Sequence, residues 1–320
     1  MIKKLSIIGG SGFIGTHLCK HLETLNIDFE IIDLKKSNDY PKKTIVADIR
    51  NLNSLRQSIN GDIIIHLAAV HTDDIKKKII YYETNVEGTK NILKVCDEKK
   101  IQSVIFTSSV AVYGFASPNA DETSQKNPFN YYGESKLKAE NLLTNWYKKN
   151  NLNKKLIIIR PTVIFGENNR GNLFKLMESI YLKKFLMIGS GKNIKSIAYV
   201  RNLVDFIVFS LGLKKFQTFN YIDKPDLSLI QLIKIIRQHF GYKHNVFLKL
   251  PYFIAVAIII ILEFLSRFIK IDLPISYVRI KKFCSTTQFG AKKMIKTGFN
   301  PKYTIEEGLQ KTIIYEFKKK

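Results

Sequence analysis

The first half of the chain alternates short runs of β-branched residues with segments of helical periodicity. Six runs are predicted strands: KLSIIG, FEIID, TIVAD, DIIIHLAA, SVIFTSS and KLIIIRP. Helices are predicted between or after them at residues 16–25, 52–59, 82–96 and 132–148. Because such an alternation covers both faces of a parallel sheet with helices, it predicts an α/β fold with a doubly wound, Rossmann-type sheet. The expected strand order is 3-2-1-4-5-6.

The pattern changes after RPTVIFG to a polar loop, a helix and a short strand. The sequence therefore predicts a nucleotide-binding domain over residues 1–170 and a smaller C-terminal substrate-binding lobe over residues 171–320. A segment at roughly residues 195–225 is expected to return to the sheet. With 320 residues and 45% hydrophobic content, the chain is long and apolar enough to bury a core.

The GGSGFIG loop follows an apolar strand and opens a helix. Gly9, Gly12 and Gly15 allow a tight turn, a close backbone approach to a pyrophosphate and close packing of helix on strand, which predicts a dinucleotide site. Asp33 ends the second strand, where a carboxylate binds the adenosine ribose hydroxyls. Its charge repels a 2′-phosphate, so the expected cofactor is NAD rather than NADP. The alternative is that Asp33 is an ordinary turn residue at a strand end.

Two further strand ends suit the same cofactor. Asp48 and Ile49 in ADIR are placed to accept from the adenine amine and to pack on the adenine ring. HLAA places small side chains where the cofactor backbone can pass. His66 is interpreted as a packed strand histidine, because no metal-ligand partner is spaced near it, and no metal is expected.

The YYGESK segment predicts proton-transfer chemistry. On a helix, Tyr132 and Lys136 share one face, so the Lys136 ammonium favours the ionised form of the Tyr132 phenol, which is otherwise a poor base with a pKa of ~10. Tyr132 is then able to take a proton from a sugar hydroxyl while hydride leaves the same carbon, and Ser109 in FTSSVAVYG orients that oxygen. The alternative is an amphipathic helix with Tyr132 and Lys136 facing solvent.

Charge and cysteine content say less about function. The net charge of +24 suggests an anionic partner, but the lysines are spread along the chain and no nucleic-acid module is present, so no nucleic-acid partner is expected. The three cysteines are far apart and form no CxxC pair, which indicates neither a disulfide framework nor a zinc site and favours the reducing cytoplasm.

An apolar run of eleven residues extends from Tyr252 to Leu262, and the helix around it is expected near residues 252–269. A bilayer span needs ~20 apolar residues, so the run is too short to cross a membrane unaided. It is either a buried helix or one that lies in the membrane interface, where Lys249, Arg267 and Lys270 suit an anionic lipid surface.

In this order, GGSGFIG, Asp33, DIR, HLAA, TSSVAVYG, YYGESK and RPTVIFG resemble the extended short-chain dehydrogenase/reductases, the family of sugar-nucleotide epimerases and dehydratases. The resemblance covers nearly the whole chain. It implies Ser109, Tyr132 and Lys136 as the catalytic triad, with Lys136 also holding the nicotinamide ribose and Asn85 structuring the site. The implied contacts to NAD come from Gly9, Gly12, Phe13, Ile14, Gly15, Asp33, Asp48, Ile49, Leu67, Ala68, Ala69, Asn85, Tyr132, Lys136 and Pro161.

Within that family, Val110 and Ala111 narrow the reaction. The 4,6-dehydratases carry an acid and a base immediately after the catalytic hydroxyl, and this chain lacks both, so the resemblance implies a 4-epimerase. Four further segments resemble bacterial epimerases that invert C4 of N-acetylglucosamine carried on undecaprenyl diphosphate, for surface polysaccharide such as O-antigen. These segments are ENNRGN, KSIAYVRNLVDFI, YIDKPDL and VRIKKFCSTTQF.

The resemblance places the substrate at Ser109 and Tyr132, with Asn172 matching a diphosphate-contacting asparagine. Arg170 and Lys195 are the candidates for neutralising the diphosphate, unless they are solvated surface residues. The expected location is the cytoplasm, at the cytoplasmic face of the inner membrane if the apolar helix binds lipid. A soluble UDP-sugar 4-epimerase and a non-catalytic NAD-binding module remain alternatives, and a homodimer is common among members of the family.

Overall fold

The computed structural model describes residues 4–71, 78–149, 153–242, 248–269 and 277–318. By their internal contacts these residues divide into two compact units. The sheet unit contains Met1–Ile164, Ala198–Ile222 and Phe289–Tyr303. The second unit contains Phe165–Ile197, Asp223–Gln288 and Thr304–Lys320.

The regular elements follow one another as short strands and mostly longer helices. The strands are β1 (Leu5–Ile8), β2 (Phe29–Asp33), β3 (Thr44–Val46), β4 (Ile63–His66), β5 (Ser103–Thr107), β6 (Lys155–Pro161), β7 (Val163–Phe165), β8 (Met187–Ile188), β9 (Ile194–Lys195), β10 (Ile197–Tyr199), β11 (Phe216–Tyr221), β12 (Leu227–Ser228) and β13 (Lys249–Leu250). The helices are α1 (Phe13–Thr24), α2 (Leu52–Ser58), α3 (Ile79–Tyr82), α4 (Gly88–Glu98), α5 (Tyr131–Lys149), α6 (Asn172–Tyr181), α7 (Val200–Phe209), α8 (Leu229–His239), α9 (Tyr252–Ile269), α10 (Tyr277–Cys284), α11 (Lys292–Ile295) and α12 (Ile305–Ile313). Single 3₁₀ turns occur at Pro41–Lys43, Val110–Tyr113 and Ser210–Gly212, and π-helical turns at Glu83–Glu87 and Ile314–Lys318.

Seven parallel strands form the sheet of the sheet unit, in the order β11-β6-β5-β4-β1-β2-β3. The predicted doubly wound sheet and its strand order are confirmed, and β11 adds a seventh strand beside β6. The central strands are buried on both faces, as in β1, whose four residues are all buried, because helices cover the sheet on each side.

The helices divide between the two faces of the sheet. α1 packs with α7, while α2, α4 and α5 share one apolar core with the strands. In that core Ile92, Leu143 and Trp146 are almost fully buried, and burying each such side chain contributes about 1.5–3 kcal/mol. The Trp146 indole Nε1 donates to Asp97 Oδ1 at 2.7 Å, so its polar atom is also satisfied.

The predicted helix at residues 82–96 is interrupted. α3 continues through the π-helical turn into α4, and the extra residue in such a turn rotates the following side chains around the helix axis. Asn85 lies within this turn and is buried. The π-helical turn therefore places the Asn85 amide inside the sheet unit. An uninterrupted α-helix would place a different side chain at that position.

In the second unit, the part of the apolar helix α9 whose side chains are described, residues 252–263, is mostly uncovered. Ala255 and Ile259 pack against Ile280 of α10, and these three residues form a small core cluster. On its other sides α9 exposes apolar side chains, with Phe253 at 72% and Ile261 at 58%. Within the described ranges, no helix is both long and apolar enough to span a bilayer. Arg267 and Lys270 are predicted basic flanks of this helix, and the side chain of Arg267 and the whole of Lys270 lie outside the described part of the chain.

Candidate active site

The glycine loop between β1 and α1 contains two glycines that the protein itself requires. Gly9 has φ +86°, and a Cβ there would lie 2.5 Å from the Ala68 backbone N. A Cβ on Gly15 would lie 2.5 Å from the backbone of Gly10. Gly12 is different, because a Cβ there would meet only the Gly9 carbonyl, at 3.4 Å. The open space at Gly12 fits a close approach by a ligand phosphate.

The start of α1 is prepared for an anion. Gly12 is the N-cap, no side chain among the described residues caps it, and the first turn carries no acidic residue. Asp33 at the end of β2 accepts from the Ser11 backbone N at 3.0 Å, which ties the glycine loop to this strand end. Backbone N–H groups for a pyrophosphate and a carboxylate for a ribose therefore lie side by side, so the residues present fit a dinucleotide.

The residues after β3 form a tight local arrangement. The Asp48 carboxylate is bound by the Arg50 guanidinium, with Nη2–Oδ2 at 2.6 Å, and this pairing lowers the pKa of Asp48. Ile49 is buried, and a Cβ on Gly88 would lie 2.6 Å from its Cδ1. The predicted contacts of Asp48 and Ile49 with an adenine stay predictions.

HLAA continues from β4 against the glycine loop. The backbone N–H groups of Leu67 and Ala68 both donate to the Ile8 carbonyl, at 2.8 and 2.9 Å. His66 is buried, its Nε2 lies 3.1 Å from Thr89 Oγ1, and burial lowers its pKa to about 3, so its ring is neutral. The described residues contain no cluster of metal-ligating side chains.

The Ser109 turn (Ser109 with Val110–Tyr113) packs directly against the start of α5. Ser109 caps the turn by accepting from the Ala111 N at 3.1 Å, and Asn130 Oδ1 caps α5 by accepting from the Gly133 N at 2.9 Å. A Cβ on Gly133 would lie 2.5 Å from the Ala111 carbonyl. Because Gly133 follows Tyr132, its lack of a side chain lets the Ser109 turn approach the turn of helix that carries Tyr132.

Lys136 lies one helical turn after Tyr132 and is 2% exposed. Its Nζ is 4.1 Å from the centre of the Phe106 ring, and no described residue hydrogen-bonds to it. Burial lowers the pKa of Lys136 to about 7, and the nearby Glu140 carboxylate opposes this shift. A buried ammonium without a hydrogen-bond acceptor costs free energy, and it is the group that a nicotinamide ribose hydroxyl would satisfy.

Asn85 connects α5 to the segment after β4. Its Oδ1 accepts from the Val70 N at 2.8 Å, and its Nδ2 donates to Ser135 Oγ at 2.9 Å. Ser135 Oγ in turn donates to the Tyr132 carbonyl at 2.8 Å. Sequence reasoning singled out Asn85 but missed Ser135 and Gly133, although both are small residues inside YYGESK.

Other predicted site residues lie at the carboxyl end of β6 and in the second unit. Pro161, the last residue of β6, is buried opposite Tyr221 of β11. Asn172 begins α6, and the Arg170 guanidinium pairs with Glu316 Oε2 at 2.8 Å.

Lys195 is committed to bonds within the second unit. Its Nζ donates to the carbonyls of Lys282 and Ser285, at 2.9 and 2.7 Å, and burial lowers its pKa to about 8. These carbonyls lie at the end of α10, so Lys195 caps that helix. The predicted diphosphate contacts of Arg170, Asn172 and Lys195 stay predictions.

Comparison with known proteins places this site in context. The model of the NAD dependent epimerase/dehydratase family matches residues 5–220. Over 316 residues the chain is 43% identical to N-acetyl-alpha-D-glucosaminyl-diphospho-ditrans,octacis-undecaprenol 4-epimerase of Escherichia coli O157:H7, covering 97% of this chain and 94% of that protein. The fold matches UDP-glucose 4-epimerase of Thermotoga maritima with UDP-glucose (TM-score 0.79, 18% identity, 98% of both chains). It also matches the UDP-glucose 4-epimerase of Thermus thermophilus in complex with NAD (TM-score 0.76, 17% identity, 98% of both chains).

Proposed function

The chain belongs to the NAD-dependent epimerase/dehydratase family, and from this premise we propose that it inverts C4 of N-acetylhexosamine carried on undecaprenyl diphosphate. The observation that carries the proposal is the 43% identity, over 97% of the chain, to the E. coli O157:H7 enzyme whose name specifies this carrier. Interconversion of N-acetylglucosamine and N-acetylgalactosamine on the lipid would supply surface polysaccharide assembly.

The cofactor is NAD, which when bound supplies a hydride acceptor and donor for C4 of the sugar. Three features of the chain fit it: the N-terminus of α1 at Gly12 for the pyrophosphate, Asp33 for the adenosine ribose, and the buried Lys136 ammonium for the nicotinamide ribose.

The chain's own residues handle the proton on O4. Ser109 hydrogen-bonds O4 and orients it, and Tyr132 takes the O4 proton and later returns it. The Lys136 ammonium favours the ionised phenol that this requires. Val110 and Ala111, both partly accessible after Ser109, offer no acid or base for chemistry at neighbouring carbons. The proposed diphosphate contacts are Arg170 and Asn172, with Lys195 adding positive charge.

The decisive experiment offers UDP-linked and undecaprenyl-diphosphate-linked N-acetylglucosamine separately and analyses the released sugar for C4 inversion. We expect inversion of the lipid-linked sugar without net formation of NADH. Inversion of the UDP-linked sugar alone would support a soluble UDP-sugar 4-epimerase instead. Absence of inversion on either carrier would contradict the proposal and support a non-catalytic NAD-binding module.

Gly12 and Gly15 are expected to respond differently to alanine substitution. Gly12→Ala should weaken NAD binding at least tenfold and leave the melting temperature without added NAD nearly unchanged, because the added methyl enters space that the protein leaves open. Gly15→Ala should lower the melting temperature, since its methyl would meet Gly10 at 2.5 Å. Titration with NAD and thermal unfolding measure the two effects, and equal losses of stability would contradict the assignment.

We also propose that α9 contacts the cytoplasmic face of the inner membrane. Its exposed apolar side chains, among them Phe253, Ile258 and Ile261, suit the interfacial region of a bilayer. Exposed basic residues nearby, Lys249 before α9 and Lys281 on α10, suit anionic lipid headgroups. An epimerase of a lipid-linked sugar gains from this position, because its substrate is concentrated there.

Vesicle flotation tests the membrane contact. The double variant Ile258→Ser with Ile261→Ser should lose most of its binding to vesicles that contain anionic phospholipid, while keeping its circular dichroism spectrum. Ile295→Ser, which alters an exposed isoleucine of the sheet unit, is the control and should bind like the wild type. Undiminished flotation of the double variant, or its unfolding, would exclude this role of α9.

A further inference from the structure

The sheet unit contains a buried polar network that the chemistry above does not use. The Arg160 guanidinium pairs with Glu140 through two hydrogen bonds, of 2.8 and 2.6 Å. Its Nη1 also donates to the Tyr113 hydroxyl at 2.6 Å, and that hydroxyl donates to Asn220 Oδ1 at 2.8 Å. All four side chains belong to residues that are at most 3% exposed.

The network joins the two pieces of chain that hold the catalytic groups. Tyr113 is the last residue of the Ser109 turn, and Glu140 lies one helical turn after Lys136 on α5. Arg160, near the end of β6, contacts both of them. The guanidinium is rigid and planar, so hydrogen bonds to both groups restrict how far the Ser109 turn and α5 can shift relative to each other.

A second set of bonds holds the far end of the network. Asn220 on β11 donates through Nδ2 to the carbonyls of Ala120 and Gly290, at 3.2 and 3.3 Å. Its backbone N donates to Glu122 Oε1 at 2.7 Å. The hydroxyl of Tyr113 is therefore held from two sides, by a cation on β6 and by an amide fixed on β11.

Stability alone does not account for such a pair. Replacing a buried ion pair by well-packed apolar residues is often neutral or stabilising, because desolvation of the charges offsets their attraction. Apolar contacts, unlike hydrogen bonds, do not fix the direction in which two groups meet. The hydrogen bonds of Arg160 are directional, and one of them is made to Tyr113 in the turn that begins with Ser109.

We propose that Tyr113, held by the Arg160–Glu140 pair, is a positioning residue that fixes the Ser109 turn against α5 and so sets Ser109 relative to Tyr132. The proposal rests on the proposed role of Ser109 and Tyr132 in C4 inversion. It assigns no contact with substrate to Tyr113, whose effect passes through Ser109.

The test is a double-mutant cycle between Tyr113→Phe and Ser109→Ala, in the full-length protein with NAD. Tyr113→Phe alone should lower kcat about 10- to 100-fold with KM changed less than about twofold, since a displaced catalytic group affects the reacting geometry more than binding. In the Ser109→Ala background the same substitution should change kcat less than about twofold, because the group that it positions is already absent.

Tyr199→Phe is the matched control, because it also removes a buried phenol oxygen from the sheet unit and should leave kcat unchanged. An unchanged kcat for Tyr113→Phe, or an equal loss in both backgrounds, overturns the proposal. If Tyr113→Phe does not fold, Asn220→Ala, which removes the acceptor of the Tyr113 hydroxyl, enters the same cycle, where additivity with Ser109→Ala is the overturning result. Failure of the proposed function is distinct, since the wild type would then show no C4 inversion at all.

Discussion

Tyr132→Phe is expected to lower C4 inversion about 10²- to 10⁴-fold, the contribution of a well-placed general acid–base group. The substitution removes a single oxygen, the one proposed to take and return the O4 proton. The fold should persist, because the start of α5 is held by the Asn130 cap and by the bond from Ser135 to the Tyr132 carbonyl. The measurement is the initial rate of N-acetylgalactosamine formation from the lipid-linked substrate.

Tyr131→Phe is the matched control for this experiment. Tyr131 is the neighbouring residue, and it is 39% exposed, so loss of its hydroxyl should leave turnover within about twofold of the wild type. Retention of NAD by the Tyr132 variant, read from cofactor absorbance, separates loss of chemistry from loss of the cofactor. Unimpaired C4 inversion by Tyr132→Phe would contradict the proposed role of Tyr132 in proton transfer.

Lys136→Met is expected to act in opposite directions on turnover and on stability. Turnover should fall about 10²-fold or more, because the substitution removes the cation proposed to favour the ionised Tyr132. The free energy of unfolding without added NAD should rise, because burial lowers the pKa of Lys136 from 10.5 to about 7. At about 1.4 kcal/mol for each pKa unit, charged Lys136 costs up to about 5 kcal/mol in the folded state.

The pH dependence identifies this cost. The pKa of Lys136 is lower in the folded than in the unfolded chain, so between about pH 7 and pH 10.5 the unfolded chain binds more protons. The free energy of unfolding of the wild type should therefore rise with pH through this window. Below the window, the full cost of charged Lys136 should apply. Urea unfolding at about pH 7 and about pH 9.5 measures the slope of this free energy against pH. The slope should be smaller for Lys136→Met, which has no lysine to titrate at this position. A variant less stable than the wild type at pH 7, with the same slope, would contradict this account.

Much of the sheet unit could be predicted from the sequence because its signals are local. Strand and helix periodicity marked the six strands and their order, and glycine spacing marked the turn before α1. Tyr132 and Lys136 were found by their four-residue spacing on one helix. β11 was anticipated only as part of a segment returning to the sheet, because its partner β6 lies more than 50 residues earlier in the chain.

The same four-residue spacing extends from Lys136 to Glu140, and a lone arginine interrupts the apolar run of β6. Glu140 and Arg160 are both evident in the sequence, but the sequence does not indicate that they pair with each other. Arg160 and Glu140 meet because β6 and α5 pack together, and pairing between distant residues has no local pattern. The exposure of α9 could not be predicted from the sequence either, since an apolar run has the same pattern whether or not other residues cover it.

By itself, the sequence determined the order of elements, the glycine turn and the spacing of Tyr132 and Lys136, since each depends on residues a few positions apart. Only the tertiary structure decided the charge balance and geometry around them. Lys136 loses water because Phe106 of β5 packs against its ammonium, and the Ser109 turn reaches α5 because Gly133 leaves room for the Ala111 carbonyl. Desolvation and close contact depend on which distant residues become neighbours, and folding alone establishes those neighbours.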